Sequence, residues 1–128
     1  MKLLLDTHAL LWWFTDDPRL SSAARLRIAD SANEILVSAA CAWEIATKQR
    51  LGKLDSVPGV TRRFAELLAA DGFLPLSINH AHALRAGSFA ADHRDPFDRM
   101  LAAQSEIEEV PLVTCDPAFG EFGIETVW

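Results

Sequence analysis

Two carboxylates stand where short apolar runs stop: Asp6 closes Lys2-Leu3-Leu4-Leu5, and Asp116 follows the run Leu112 to Thr114. Runs this short and apolar read as buried strands. In an open parallel sheet the ligand crevice lies beyond the carboxyl ends of the strands, where strand order reverses. If the first and the late strand are neighbours there, Asp6 and Asp116 face one crevice. Two further acids lie in apolar helical surroundings, Glu44 between Trp43 and Ile45 and Asp98 in His93-Arg94-Asp95-Pro96-Phe97-Asp98-Arg99. A carboxylate so embedded needs a partner or it shifts its pKa upward. Each acid also has an ordinary use. Asp6 and Asp116 suit turns or helix caps, Glu44 stands four residues before Lys48, and Asp98 complements a helix dipole. Grouped carboxylates repel one another and hold protons unless a cation joins them. Oxygen-only donors select hard ions, so the expected cofactor is Mg²⁺ or Mn²⁺ and not Zn²⁺. Such an ion acidifies water and offsets charge on a phosphodiester, and two ions about 3.5–4 Å apart would divide those tasks.

The elements that must position these acids alternate. After the strand Lys2 to Asp6 comes Ala9 to Phe14, apolar on every side, then the Asp16-Asp17-Pro18 turn. Ser21 or Ser22 caps a helix through about Ala32. Glu34 to Ser38 is a second strand, and Ala39 to Arg50 a helix with Trp43, Ala46 and Gln49 on one side, stopped near Gly52. Beyond the Ser56-Val57-Pro58-Gly59 break, Val60 to Ala70 is helical, with Gly72 ending it. Phe73 to Leu76 is a third strand, Asn79 to Ala86 a helix, Gly87 to Arg94 a loop, and Pro96 to about Ile107 a strong helix. A strand at Leu112 to Thr114, a turn at Asp116-Pro117 and a strand near Ile124 to Val127 complete the chain. Strands alternating with helices predict a parallel sheet covered on both faces, an α/β sandwich. There is no internal repeat and no glycine-rich phosphate loop.

A chain of 128 residues, half hydrophobic, fits a single domain over 1–128. No run approaches the roughly 20 apolar residues of a membrane helix, and no signal peptide is visible, so the expectation is a soluble cytoplasmic protein without membrane contact. Cys41 and Cys115 lack metal-binding spacing and read as buried thiols. The net charge of −6 is the wrong sign for coating nucleic acid. Acids concentrated in a cation-binding pocket blunt that objection. Lys48, Arg50, Lys53, Arg62 and Arg63, with Arg94 and Arg99 beside the later acids, form either a local phosphate-contacting strip or an ordinary solvated face.

Four segments carry a resemblance: LLLDTHALLW, the glutamate of SAACAWEIATKQRLGKL, HRDPFDRMLAAQ and PLVTCDPAFGEFGI. Each is weak alone. In this order and spacing, over essentially the whole chain, they resemble a PIN domain of the VapC-like toxin ribonuclease group. The resemblance implies a three-layer α/β/α sandwich with a parallel five-stranded sheet in the order 3-2-1-4-5, which puts Asp6 and Asp116 at the switch point. It implies a metal site matching Asp6, Glu44, Asp98 and Asp116, an Mg²⁺- or Mn²⁺-dependent endoribonuclease activity, homodimers, and silencing by a cognate antitoxin. The family pattern of an acid, two residues and Leu-Ala-Ala selects Asp98 over Asp95. Asp95, ahead of Pro96, is explained as an N-cap or as support for the ligands.

Thr7 and Thr114 adjoin the acids and are candidates to steady them by hydroxyl contact, while Arg99 and Lys48 are candidates to position an RNA strand. His8 follows Asp6 by two residues and would either touch phosphate or simply pack. His80 and His82 fall at a helix start, where they diverge, and read as surface or cap residues. Trp12, Trp13 and Phe14 are too dense for one buried stripe, so part of the run is expected at a protein partner. A receiver domain also gathers acids at strand ends, but it needs an acid pair after the first strand and a late lysine, and none follows Lys53. A catalytically silent interaction module on the same fold, or a PIN-fold nuclease outside toxin–antitoxin systems, is the remaining alternative.

Overall fold

The computed structural model describes residues 1–54 and 57–128; of the break expected at 56–59, Ser56 lies outside them. β1 (Lys2–Leu5) is the middle of the sheet, and its Leu3, Leu4 and Leu5 are inaccessible to solvent. It pairs in parallel with β2 (Glu34–Ser38), Leu3 opposite Ile35, and on its other side with β4 (Leu112–Val113), Leu4 opposite Leu112. A strand covered on both faces and both edges has to be apolar throughout, which is why LLL carries no alternation. β3 (Leu74–Leu76) and β5 (Thr126–Val127) are the outer strands of a five-stranded sheet ordered β3-β2-β1-β4-β5. Pro75 is tolerated in β3 because one side of that strand has no neighbour.

The helices are α1 (Thr7–Phe14), α2 (Ser22–Ala29), α3 (Ala39–Arg50), α4 (Phe64–Ala70), α5 (His80–Ser88) and α6 (Pro96–Glu108). With right-handed crossovers, the steps β1 to β2 and β2 to β3 lay α1 to α4 on one face; the return past β1 to β4 lays α5 and α6 on the other. The expected three-layer architecture is therefore present. Among the described residues no helix is long and apolar enough to cross a membrane.

Boundaries differ from the sequence reading where side chains cap. α1 starts at Thr7, two residues early, because Asp6 caps it by accepting the Ala9 N–H at 2.7 Å. Ser21, not Ser22, caps α2, which stops at Ala29. α4 begins only at Phe64, since Gly59, at φ +73°, turns the chain and the residues after it form turns. α5 runs two residues past Ala86, and Pro117–Phe122 forms a 3₁₀ turn capped by Asp116. His82 is a cap residue but not a surface one: it is buried, and its Nδ1 accepts the Asn79 N–H in a capping box. Cys41 is buried as expected, whereas Cys115 is exposed, because β4 ends at Val113 and the chain turns outward.

Arg99 corrects another expectation. Its guanidinium gives four of its five N–H groups to the carbonyls of Ala86, Phe89, Ala91 and His93 at 2.7–2.9 Å, stapling the α5–α6 loop, and is held there instead of reaching out as a strand-positioning cation. Truncation orphans four part-buried carbonyls. Arg99→Ala should lower the unfolding free energy in urea by about 3 kcal/mol, and Arg99→Lys should recover less than half, since an ammonium cannot span the fork.

Candidate active site

Asp6 leaves the carboxyl end of β1 with its N–H donating to Val113 O at 3.1 Å, which pins it beside the end of β4. Thr114 continues from β4. Its hydroxyl accepts the Asp116 N–H at 3.1 Å and faces the Asp6 carboxylate, whose charged form it stabilises. The two strand ends expected to meet at the switch point are thus joined through one threonine. Asp116 Oδ1 accepts the Ala118 N–H at 2.9 Å, so the cap role also holds, and both Asp6 and Asp116 act electrostatically on the Cys115 thiol between them.

Glu44 comes from α3 and is only 4% exposed. One oxygen accepts the Thr7 hydroxyl at 2.6 Å, the other the Lys48 ammonium at 2.7 Å. The spacing to Lys48 is a real ion pair, yet it points inward toward the crevice and does not decorate a solvated face. The outward side of α3 is the one carrying Trp43, 54% exposed, whose ring meets Phe97 edge-on at 4.6 Å.

Asp98 is the third residue of α6. Asp95 is its N-cap, with Oδ1 accepting from Phe97 N–H at 2.8 Å and Asp98 N–H at 3.2 Å. One carboxylate of RDPFD is therefore spent on the helix end, and the other contacts His93 Nε2 at 2.8 Å. His93 was not singled out from the sequence. Its signal is the five-residue spacing to Asp98, which becomes a contact only through the loop that Arg99 staples.

The electrostatics follow from crowding. Burial raises the Asp6 pKa first, and Glu44 adds repulsion, against the Thr114 hydroxyl, the Ala9 N–H and His8. Asp98 is pushed to about 6 by burial, with His93 offsetting and Asp95 and Glu44 adding like charge. Glu44 thus acts on both Asp6 and Asp98, with Asp116 adjoining Asp6 through Thr114. Among the described residues no three His, Cys, Asp or Glu side chains stand close enough to form a ready cage. Lys48 and His93 occupy two of the acids instead. The donor set itself, all carboxylate and hydroxyl oxygens with two proton affinities raised by burial and then by neighbouring acids, fits a hard divalent cation.

Residues 3–125 match the family model of the PIN domain. This chain belongs to the PIN-domain family. The PIN domain is similar to Ribonuclease VapC22 of Mycobacterium tuberculosis, 32% identical over 117 residues that cover 89% of this chain and 86% of that protein. It is also similar to Ribonuclease VapC16 of the same organism, 42% identical over 69 residues; that match spans 51% of this chain and 49% of the relative. Among solved structures, VapBC-1 from nontypeable Haemophilus influenzae shares the fold at TM-score 0.70 and 18% identity, covering 99% of this chain and 97% of that one. VapBC2 from Rickettsia felis, bound to a DNA fragment from its promoter, does so at TM-score 0.71 and 15% identity, covering 100% and 98%.

The raised Asp98 has a consequence for stability. Between its ordinary 3.8 and about 6, the folded PIN domain binds more protons at this group than the unfolded chain. Stability therefore falls as pH rises through that window and levels off above it. The loss is on the order of 2–3 kcal/mol. In EDTA, Asp98→Asn should flatten this part of the profile and raise Tm at pH 8; an unchanged profile would show that the site does not strain this carboxyl.

Proposed function

We propose that this PIN domain is a divalent-metal-dependent endoribonuclease that hydrolyses RNA phosphodiester bonds, and the toxin of a toxin–antitoxin pair. What supports the reading is that buried Glu44 lies in the electrostatic field of both Asp6 and Asp98, while Thr114 ties the Asp6 and Asp116 ends of β1 and β4 together at the switch point. The VapC names of its relatives, both ribonucleases, support RNA as substrate, and the VapBC neighbours support an antitoxin partner.

Asp6, Asp98, Asp116 and Glu44 would hold the Mg²⁺ or Mn²⁺. The ion would supply Lewis acidity, making water a better nucleophile and offsetting charge on the phosphate. The chain's own groups prepare for it. Thr7 and Lys48 fix the Glu44 oxygens from opposite sides, and Thr114 holds Asp6 toward the crevice. His93 steadies ionised Asp98. Asp95 anchors the helix end that presents it. The rim lacks Arg99 as a substrate contact, so strand positioning falls to residues near Lys48. A homodimer and a cytoplasmic location belong to the same reading.

Cleavage of structured RNAs in Mn²⁺ or EDTA tests it. Asp6→Asn and Asp98→Asn should each lose more than about 100-fold, beyond the cost of losing a residue that only supports a metal ligand. Asp95→Asn keeps a capping oxygen and should retain part of the activity. Equal loss at Asp95 would make it a ligand; wild-type protein inert with every RNA would defeat the nuclease reading.

A further inference from the structure

Beside the acids, between α1 and the end of α3, lies a recess of about 170 Å³. Thr7, His8, Trp12, Arg19, Lys48 and Lys53 are in its wall. It is well below the roughly 300 Å³ at which drug-sized pockets begin, a size for one flat ring or one sugar-phosphate unit. It adjoins Glu44, since Thr7 and Lys48 line it while holding the two oxygens of that carboxylate.

Its chemistry is mixed in a particular way. His8 and Trp12 make a stepped aromatic wall, ring centroids 5.5 Å apart and 31° between planes, with His8 exposed. Arg19 lies over the Trp12 ring at 4.9 Å. Asp17, a carboxylate that also lines the recess, is answered by that same Arg19, with side-chain bonds at 2.8 and 3.1 Å. Lys48 is matched by Glu44. Lys53 is exposed, and among the described residues no ion pair of its own balances it.

We propose that this recess is a nucleotide subsite of the RNA-cleaving centre, taking the residue next to the scissile phosphate with its base on the His8/Trp12 wall and its phosphate at Lys53. Aromatic stacking plus a basic rim is how single strands are held without sequence readout. An acidic protein that cuts RNA needs such a local cation next to its carboxylates, because its overall charge repels the strand. A protein segment is the other class of occupant, but an apolar peptide side chain makes no use of Lys53. The proposal rests on the nuclease reading above.

The test uses the full chain and a short fluorescein-labelled mixed-sequence oligoribonucleotide. Binding is followed by anisotropy in an Asp6→Asn background, and cleavage of the same RNA in the Asp6 protein with Mn²⁺. His8→Ala and Lys53→Ala alter exposed side chains and spare the core; Arg27→Ala, an exposed cation on α2, is the control. Each recess variant should weaken binding about fivefold, raising KM with kcat little changed. Lys53→Ala should also reduce the slope of log affinity against log salt by about 0.7. RNA cut and bound normally by both variants, or weakened equally by Arg27→Ala, overturns the subsite and leaves the nuclease reading standing. Binding that depends on His8 and Lys53 without any cleavage overturns the nuclease reading and keeps the nucleotide site. Variants that lose affinity for an antitoxin while holding RNA normally make the recess a protein contact and overturn the proposal, as does wild-type protein that neither binds nor cuts.

Discussion

The Asp6 carboxylate is favoured in its charged form by some neighbours and discouraged from it by others. Capping α1 needs an acceptor at the Ala9 N–H, and Thr114 adds a second hydrogen bond, while burial and Glu44 push toward protonation. The direction in which α1 leaves β1 depends on that cap. So does the recess beside it, because Thr7, His8 and Trp12 all project from this helix. The position of Asp6 is in turn held by β1, whose pairing on both sides and fully buried leucines leave no freedom of register. A catalytic constellation is most accurate when it sits at the end of such a rigid element.

Each of these acids is held by a different set of partners. Glu44 has a lysine and a threonine, Asp98 a histidine, Asp6 a threonine and a backbone amide, Asp116 a backbone amide. These devices come from separate elements, so the carboxylates can stand within one another's field without forcing the elements apart. They also set a threshold. Under the proposed function a cation held by these acids would have to compete with the Lys48 ammonium and the His93 contact, which would favour an ion of higher charge and more ligands than either.

The sheet and the two strand-end acids were legible in the chain because apolar runs and their abrupt ends are local signals. Asp95 as cap was legible for the same reason, since Asp-Pro at a helix start has a direct stereochemical meaning. Glu44 was not legible from local pattern, because its spacing to Lys48 is the same whether the pair faces water or the crevice; the resemblance to a family singled it out. Arg99 and His93 lay further out of reach. Both act on the loop between α5 and α6, and nothing in Gly87 to Arg94 announces that four of the carbonyls leading into α6 will converge on one guanidinium. Cys115 was misjudged because β4 stops one residue earlier than expected, at Val113, which leaves Cys115 on the outward turn.

The net charge of −6 looked like evidence against a nucleic-acid substrate, but summed charge describes the far field only. Near the crevice the relevant quantity is what remains after ion pairs close. Lys48 is consumed by Glu44 and Arg19 by Asp17. The reach of an exposed charge is about 8 Å in physiological salt. Distant acids such as Glu106 and Glu108 on α6 therefore weigh little there, and Glu106 is already bound by Arg85. Under the proposed function, an acidic protein with a small basic margin would discourage indiscriminate binding of long polyanions and favour entry of a strand at that margin. Selectivity for where the strand enters is then built into the charge pattern before any base is read.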